Sequence, residues 1–296
     1  MKLNALSTVI FAVATVTIFD LLSNAKPAAA FGLVGLSDTN DLVLFDSTNP
    51  ASTTNVSVTG IDANDRLLGI DRRPANNLIY GLTNTNKIYT INPLTGVASF
   101  VNSLSTDFTG AFVSGVDFNP VPDRLRVVGG NNQNFRINVD TAAVTVDGTL
   151  NPGDPNITAV AYTNADNDPT TGTTLYDIDY ISDALFIQNP PNAGTLQRVG
   201  SLGIDIDSRG GFDIFTQNGM NSAIAALTPT SASGSNLYNV NLNTGAATLV
   251  GSIGNGNTRL VGLTARVPEP SLALGLVAGG VLALLGRCRR RLKSIG

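Results

Sequence analysis

Residues 69–104 read GIDRRPANNLIYGLTNTNKIYTINPLTGVASFVNSL, and their pattern returns 46 residues later. Residues 115–150 read GVDFNPVPDRLRVVGGNNQNFRINVDTAAVTVDGTL and align with the first stretch without a gap. Glycine, aspartate, proline, asparagine, threonine and leucine coincide at matched positions, and the apolar positions coincide almost throughout. A fixed period of this size is typical of propellers and solenoids, in which each repeat is one supersecondary unit.

Each copy of the repeat contains four segments with the pattern of a β-strand. In the third segment, apolar and polar side chains alternate, which indicates a strand with one face better buried than the other. The aligned apolar positions of that segment are Val43, Tyr89, Phe135 and Tyr238. The second segment, residues 78–82, has no polar break, so both faces of its sheet should be covered. Four-stranded sheets that cover one another around an axis are the blades of a β-propeller.

The ends of the repeat array predict how the ring closes. Residues 35–46 match the repeat but lack its first strand, whereas residues 259–264 match a first strand with no copy after it. The copies between residues 157 and 253 drift, and their register is uncertain by a few residues. Five blades, with the C-terminal strand pairing with the segment 31–36, account for both ends. The sequence therefore predicts an all-β fold, a five-bladed propeller over residues 31–266.

The composition of residues 31–266 favours β-strands and argues against one class of binding partner. Residues 31–266 contain 20 Asp, no Glu, 10 Arg and one Lys, a net charge of −9. The scarcity of Glu and Lys removes the residues that normally coat helices, and abundant Asn, Thr, Gly and Val suit strands and turns. An acidic body without a basic stripe argues against nucleic acid as a partner.

The first 30 residues have the pattern of a secretory signal peptide. Lys2 precedes a mostly apolar run from residue 6 to residue 18, and the small residues Ala28 and Ala30 mark a cleavage site before Phe31. A retained membrane anchor fits less well, because Asp20 follows a run shorter than the ~20 residues that a spanning helix needs. The body contains no Cys, so its fold should not depend on disulfides.

Residues 267–296 combine a proline-flanked glutamate, an apolar run and a basic end. The motif is Pro268, Glu269 and Pro270, and the apolar run spans residues 272–285. The basic end contains Arg287, Arg289, Arg290 and Arg291. A short span with a cytoplasmic basic end suggests transient membrane insertion.

The order of these three elements resembles a PEP-CTERM sorting signal, found on exported bacterial proteins. The resemblance implies recognition by the export machinery and exosortase, removal of the basic span, and a final place at the cell surface or outside the cell. An ordinary tail anchor is the alternative. The body resembles a family of exported proteins of unknown function through residues 69–71, 91–93 and 189–191, and that resemblance implies no activity.

Residue types in the body exclude several kinds of chemistry. Without His there is no histidine base, no Ser-His-Asp triad and no imidazole metal ligand. Many five-bladed propellers are glycosidases, which normally use two carboxylates, and here only Asp could serve. We therefore expect an exported binding or structural module, with a glycan or other surface polymer as its partner. An enzyme that acts on an extracellular polysaccharide with Asp catalysts is the alternative.

Two acidic features are candidate sites. Asp71, Asp117 and Asp213 recur at one position of the repeat, and Tyr162 and Thr264 lie near that position in the remaining copies. They should accept backbone hydrogen bonds or, alternatively, line a tunnel and hold a cation. The other feature places Asn164, Asp166 and Asp168 at alternate positions, as in a calcium loop. It lacks the glycine and distal glutamate of an EF-hand, so no cofactor is expected, with Ca²⁺ as the alternative.

Overall fold

The computed structural model describes residues 30–110, 113–166, 168, 170–217 and 219–266. Twenty β-strands and one 3-10 turn (Pro191–Ala193) form within this part of the chain. The strands are β1 (Gly32–Ser37), β2 (Asp41–Asp46), β3 (Asn49–Ser57), β4 (Leu67–Arg72), β5 (Ile79–Thr83), β6 (Lys87–Ile91), β7 (Ala98–Ser103), β8 (Ser114–Asn119), β9 (Arg124–Gly129), β10 (Asn134–Asn138), β11 (Ala143–Val146), β12 (Ile157–Tyr162), β13 (Leu175–Asp179), β14 (Ala184–Gln188), β15 (Leu196–Ser201), β16 (Ile206–Gln217), β17 (Met220–Pro229), β18 (Asn236–Val240), β19 (Ala247–Ser252) and β20 (Leu260–Ala265).

The strands form five antiparallel four-stranded sheets, which confirms the predicted five-bladed propeller. Blade 1 has the order β20-β1-β2-β3, and blades 2 to 5 are β4–β7, β8–β11, β12–β15 and β16–β19. The predicted closure is also confirmed, because β20 pairs with β1 from Leu33↔Ala265 to Ser37↔Leu260. The first strand of every blade is innermost, so β20 supplies the strand that the N-terminal copy lacks.

The core lies between the blades rather than within one of them. Clusters of buried apolar side chains join each inner strand to the blade beside it, as where Tyr80 of blade 2 meets Phe118 of blade 3 with ring centroids 5.3 Å apart. The second strand β5 is buried throughout, as its unbroken apolar sequence predicts. The fourth strand of blades 2 to 5 is mostly exposed or half-buried. Each blade therefore needs both neighbours to cover its inner strands.

Glycines at the axis let the inner strands approach closely. A Cβ atom at Gly211 would lie 2.4 Å from the carbonyl carbon of Gly262, and one at Gly115 would lie 2.8 Å from the backbone nitrogen of Val160. The glycine two residues before each recurring aspartate of the repeat is thus required by contact between neighbouring blades. At the level of these glycines, a cavity of about 10 Å³ lies between the inner strands, room for about one water molecule.

The turns that join the third and fourth strands keep one conformation even where the sequence changes. Gly96 and Gly245 have φ of 73° and 80°, in the left-handed region. Ala142 replaces the glycine in blade 3 and still has φ of 56°. The turn therefore keeps its shape at a cost of roughly 1–2 kcal/mol, since a Cβ atom is unfavourable in this conformation.

Candidate functional site

Three aspartates occupy one position near the end of the innermost strand in blades 2, 3 and 5. Their Cα pairing partners on the second strand correspond from blade to blade, with Asp71 opposite Tyr80, Asp117 opposite Arg126 and Asp213 opposite Ile224. All three side chains are buried. One carboxylate oxygen from each lies within 4.8 Å of the others. The repeat therefore brings its recurring aspartates together beside the axis.

Each of these aspartates accepts a hydrogen bond from a backbone N–H of the next blade. The bonds are Phe118 N to Asp71 Oδ2 (2.8 Å), Tyr162 N to Asp117 Oδ1 (3.1 Å) and Ala265 N to Asp213 Oδ2 (2.5 Å). An innermost strand pairs on one side only, so its other edge presents N–H groups without a strand partner. The carboxylates satisfy such groups and so join neighbouring blades.

Thr264 supplies the same link between blades 1 and 2. Its Oγ1 accepts a hydrogen bond from Arg72 N at 3.2 Å and donates one to Asp71 Oδ1 at 2.8 Å. In blade 4 the corresponding position belongs to Ala161, which pairs with Tyr176. The sequence analysis places Tyr162 near this position, one residue away from Ala161. The fourth copy matches the repeat poorly, so its exact register could not be read from the sequence. Four of the five blades thus carry a hydrogen-bonding side chain here.

Burial raises the pKa of all three carboxyl groups. The pKa of Asp71 is raised to about 7, first by burial and then by the negative charge of Asp213. The pKa of Asp117 is raised well above its usual value by burial and by both other aspartates. Burial likewise raises the pKa of Asp213, and the nearby guanidinium of Arg72 partly opposes all three shifts. Protons are therefore favoured at this cluster below neutral pH.

The cluster contains the carboxylate oxygens that a cation site needs, but these oxygens already accept hydrogen bonds from the protein's own backbone. It is the single group of this kind found among the described residues. A small hard cation would compete with the backbone N–H bonds from Phe118, Tyr162 and Ala265. A polymer chain has no access, since all three aspartate side chains are buried.

The oxygens of the predicted calcium loop are engaged within the loop and with blade 5. Asn164 exchanges hydrogen bonds with Asn221, because its backbone N–H donates to Asn221 Oδ1 and its Oδ1 accepts from Asn221 Nδ2. Asp166 Oδ1 accepts from Asp168 N at 2.9 Å, and Asp168 Oδ1 accepts from Thr170 N at 2.9 Å. These are Asx turns, which stabilise a loop without an ion. Calcium binding here stays a prediction.

A groove of about 560 Å³ opens on one face of the propeller, and no sequence motif marked it. It lies over the two turns of blade 2 that follow β4 and β6, beside the end of β20. Its apolar lining includes Leu78, Leu94 and Val97, each about half or more exposed. Its polar lining contains Arg72, Asn77, Thr90, Asn92, Thr95, Ser99 and Arg266. A cleft of this volume with a mixed lining is the usual form of a binding site for a small molecule or polymer segment.

A buried polar cluster lies between blades 3 and 4, and no sequence pattern predicted it. Arg126 is fully buried and donates to Asp147 at 2.7 Å, to the Tyr162 hydroxyl at 3.0 Å and to Asn192 at 2.8 Å. Asp177, on the blade 4 face of the same interface, has no hydrogen-bond partner at either oxygen. Burial raises the pKa of Asp177 well above its usual value, which favours its neutral form, and the charge of Arg126 opposes this shift. Other residue types occupy these positions in the other copies, so the repeat does not predict the cluster.

The predicted processing residues lie outside the described residues. They are Ala28, Pro268, Glu269, Pro270, Arg287, Arg289, Arg290 and Arg291; Ala30 is the first described residue and is exposed. The predicted span of residues 272–285 lies outside as well. Within the described part of the chain, no helix has the length and hydropathy needed to cross a membrane.

Residues 41–264 match the family described as Domain of unknown function (DUF4394). The chain belongs to this family. The match begins in β2 and ends in β20, so it includes strands of all five blades. No curated protein matches the sequence. The finer resemblance of the tail to a sorting signal rests on the sequence alone.

Solved structures with similar folds share little sequence with this DUF4394 protein. One is a structural genomics protein of unknown function from Bacteroides thetaiotaomicron, with 15% identity, a TM-score of 0.48, and coverage of 78% of this chain and 60% of that one. Two are named auxiliary nutrient binding proteins, from Bacteroides thetaiotaomicron and Bacteroides ovatus, each 12% identical, with TM-scores of 0.42 and 0.40. The match to the first covers 71% of this chain and 54% of that protein. The match to the second covers 65% of this chain and 55% of that protein. This DUF4394 chain thus spans less than two thirds of each.

Proposed function

We propose that this protein is an exported, non-catalytic binding module that holds a glycan or other surface polymer at the cell surface or in the extracellular matrix. The observation that carries the proposal is the open groove over blade 2, with its apolar turns and its amide, hydroxyl and guanidinium groups. The rigid ring supports such a role, because sites on a preorganised scaffold bind with a smaller entropic cost.

The enzyme alternative is weakened by the position of the carboxylates. The Asp71 pKa of about 7 would suit a general acid. A glycosidase, however, needs two carboxylates that flank a bound sugar, and the three carboxylates of this cluster are buried. Among the described residues, no carboxylate lines the groove.

A glycan array probed with the purified full-length chain tests the proposal, with the groove blocked in a matched variant. Ser99→Trp puts a bulky side chain on an exposed position that lines the groove, and we expect it to remove binding. Ser103→Trp places the same side chain on the same strand, β7, outside the groove, and should bind like wild type. Equal binding by both variants, or cleavage of the bound glycan, would contradict the proposal.

Delivery to the surface is proposed from the two ends of the chain. We expect intact-mass measurement of the surface form to show the loss of the first 30 residues and of the basic end, with cleavage near Pro270. The physical reason is that a short apolar run with a basic end is a poor permanent anchor. A mature protein that keeps residues 289–293 would refute the sorting-signal interpretation.

A further inference from the structure

We infer that the groove over blade 2 takes a carboxylate-bearing saccharide, such as a uronate chain, with Arg72 and Arg266 as its anchors. The inference rests on the proposed binding function and names its ligand class. The body carries a net charge of −9, yet the described residues that line the groove include two arginines and no carboxylate. The local charge is thus opposite to that of the whole body, which favours an anionic ligand.

The two arginines lack the ion pairs that most other basic side chains make. Within the described residues, neither Arg72 nor Arg266 lies within ion-pair distance of an Asp. The basic residues that do so are Arg73, Lys87, Arg126, Arg136, Arg209 and Arg259. Arg72 acts on the three buried aspartates from further away, and burial opposes their ionisation. An unpaired arginine beside an open groove is well suited to bind a carboxylate.

The guanidinium of Arg72 is already oriented by the protein. Its Nε donates to the Ala265 carbonyl oxygen at 3.3 Å, and its Nη1 donates to Asn77 Oδ1 at 2.9 Å. Arg266 follows Ala265 directly, and its backbone N–H is fixed to the Gly32 carbonyl oxygen at 2.8 Å. A guanidinium held in place loses less entropy when it binds a carboxylate as a two-pronged donor.

The rest of the groove favours a saccharide over an acidic peptide. A peptide would gain most by adding a strand at the sheet edge beside the groove, but there Thr59 already pairs with Val97, directly before β7. Thr59 N donates to the Gly96 carbonyl oxygen, and Ala98 N donates to that of Thr59. What remains for a ligand is the polar lining of Asn77, Thr90, Asn92, Thr95 and Ser99, which matches the hydroxyl groups of a sugar.

Calorimetric titration of the full-length chain in detergent tests the ligand class. The probes are a trimer of galacturonic acid, its methyl ester, in which each carboxylate is replaced by an uncharged ester, and a tripeptide of glutamate. We expect the acid trimer to bind at least about tenfold more tightly than the ester, because charge-assisted hydrogen bonds are the stronger kind. Arg72→Gln and Arg266→Gln should each weaken binding of the acid trimer, and Arg72→Lys should do so less.

The controls separate this inference from the binding function itself. Arg198→Gln removes an exposed arginine on blade 4 that forms no ion pair with any described residue, and it should leave affinity unchanged. Binding of the ester as tightly as the acid would overturn the inference while the binding function stands. Tighter binding of triglutamate would overturn the saccharide class. Failure to bind the trimer or any glycan on the array would overturn both this inference and the proposed binding function.

Discussion

Deletion of residues 257–266 should abolish the cooperative unfolding of the whole propeller, although it removes only one of the twenty strands in the described part of the chain. The reason is that β20 is the innermost strand of blade 1 and is buried along its full length. Its side chains belong to the clusters that join blade 1 to blades 5 and 2, through Leu263 and Val261 respectively. Without it the ring is open, and both β1 and the neighbouring inner strands are exposed to water.

Circular dichroism melting measures this loss, and two point variants provide the matched comparison. Leu263→Ala in β20 truncates a buried side chain and should cost about 2–5 kcal/mol in the free energy of unfolding. Leu249→Ala makes the same change at an exposed position of the outer strand β19 and should cost less than about 0.5 kcal/mol. A deletion variant that melts within a few degrees of wild type would show that the ring does not depend on this strand.

Replacement of Asp71 by alanine should destabilise the propeller at pH 5 by about 1–3 kcal/mol for each donor left unpaired. The two donors are the Phe118 N–H and the Thr264 hydroxyl. Asp71→Asn keeps an acceptor oxygen and removes the ionisable group, so it should cost less than Asp71→Ala. Asp205→Ala, at an exposed position of the chain, should change the stability by less than about 0.5 kcal/mol. Urea titration of the four proteins measures these differences.

The pH dependence separates the charge of Asp71 from its hydrogen bonds. The folded-state pKa of Asp71 is about 7, above the unfolded value, so its stabilising contribution is complete below about pH 4 and is lost as the pH rises through 7. Wild type should therefore lose more stability between pH 5 and pH 8 than Asp71→Asn does. An equal loss in the two proteins would show that Asp71 does not titrate in this range.

A calcium dependence would contradict this structural role of the aspartates. If they serve backbone donors, wild type should melt at the same temperature with added Ca²⁺ and with a chelator. If they hold the ion, Ca²⁺ should stabilise the folded state, and Asp71→Ala or Asp117→Ala should remove that effect. An upward shift with calcium that either substitution abolishes would therefore identify a cation site.

The repeat predicted the architecture because it records contacts that every blade must make. The alternating third strand, the apolar second strand and the glycine before each aspartate recur because each blade covers the next in the same way. The spare strand at residues 259–264 predicted the closure. The repeat also marked Asp71, Asp117 and Asp213 as equivalent, since each satisfies an inner-strand N–H of the following blade.

The repeat could not predict features that are present in one blade and absent from the others. The groove joins two turns of blade 2 to residues 265 and 266, which are distant in sequence and come together by ring closure. Arg126 and Asp177 occupy positions without an equivalent side chain in the other copies, and their burial depends on the neighbouring blade. In blade 4, insertions displaced the register, so Ala161 rather than Tyr162 takes the aspartate position.

Hydrogen–deuterium exchange of the full-length chain, with and without the strongest glycan on the array, tests most directly where the ligand binds. The groove lies on the face that carries the turns after β4 and β6, and the connection at residues 104–110 lies on the opposite face because antiparallel strands alternate in direction. We predict slower exchange within residues 90–99 of the glycan-bound protein and unchanged exchange within residues 104–110. Protection of residues 104–110 with none in residues 90–99 would contradict the assignment of the groove as the binding site.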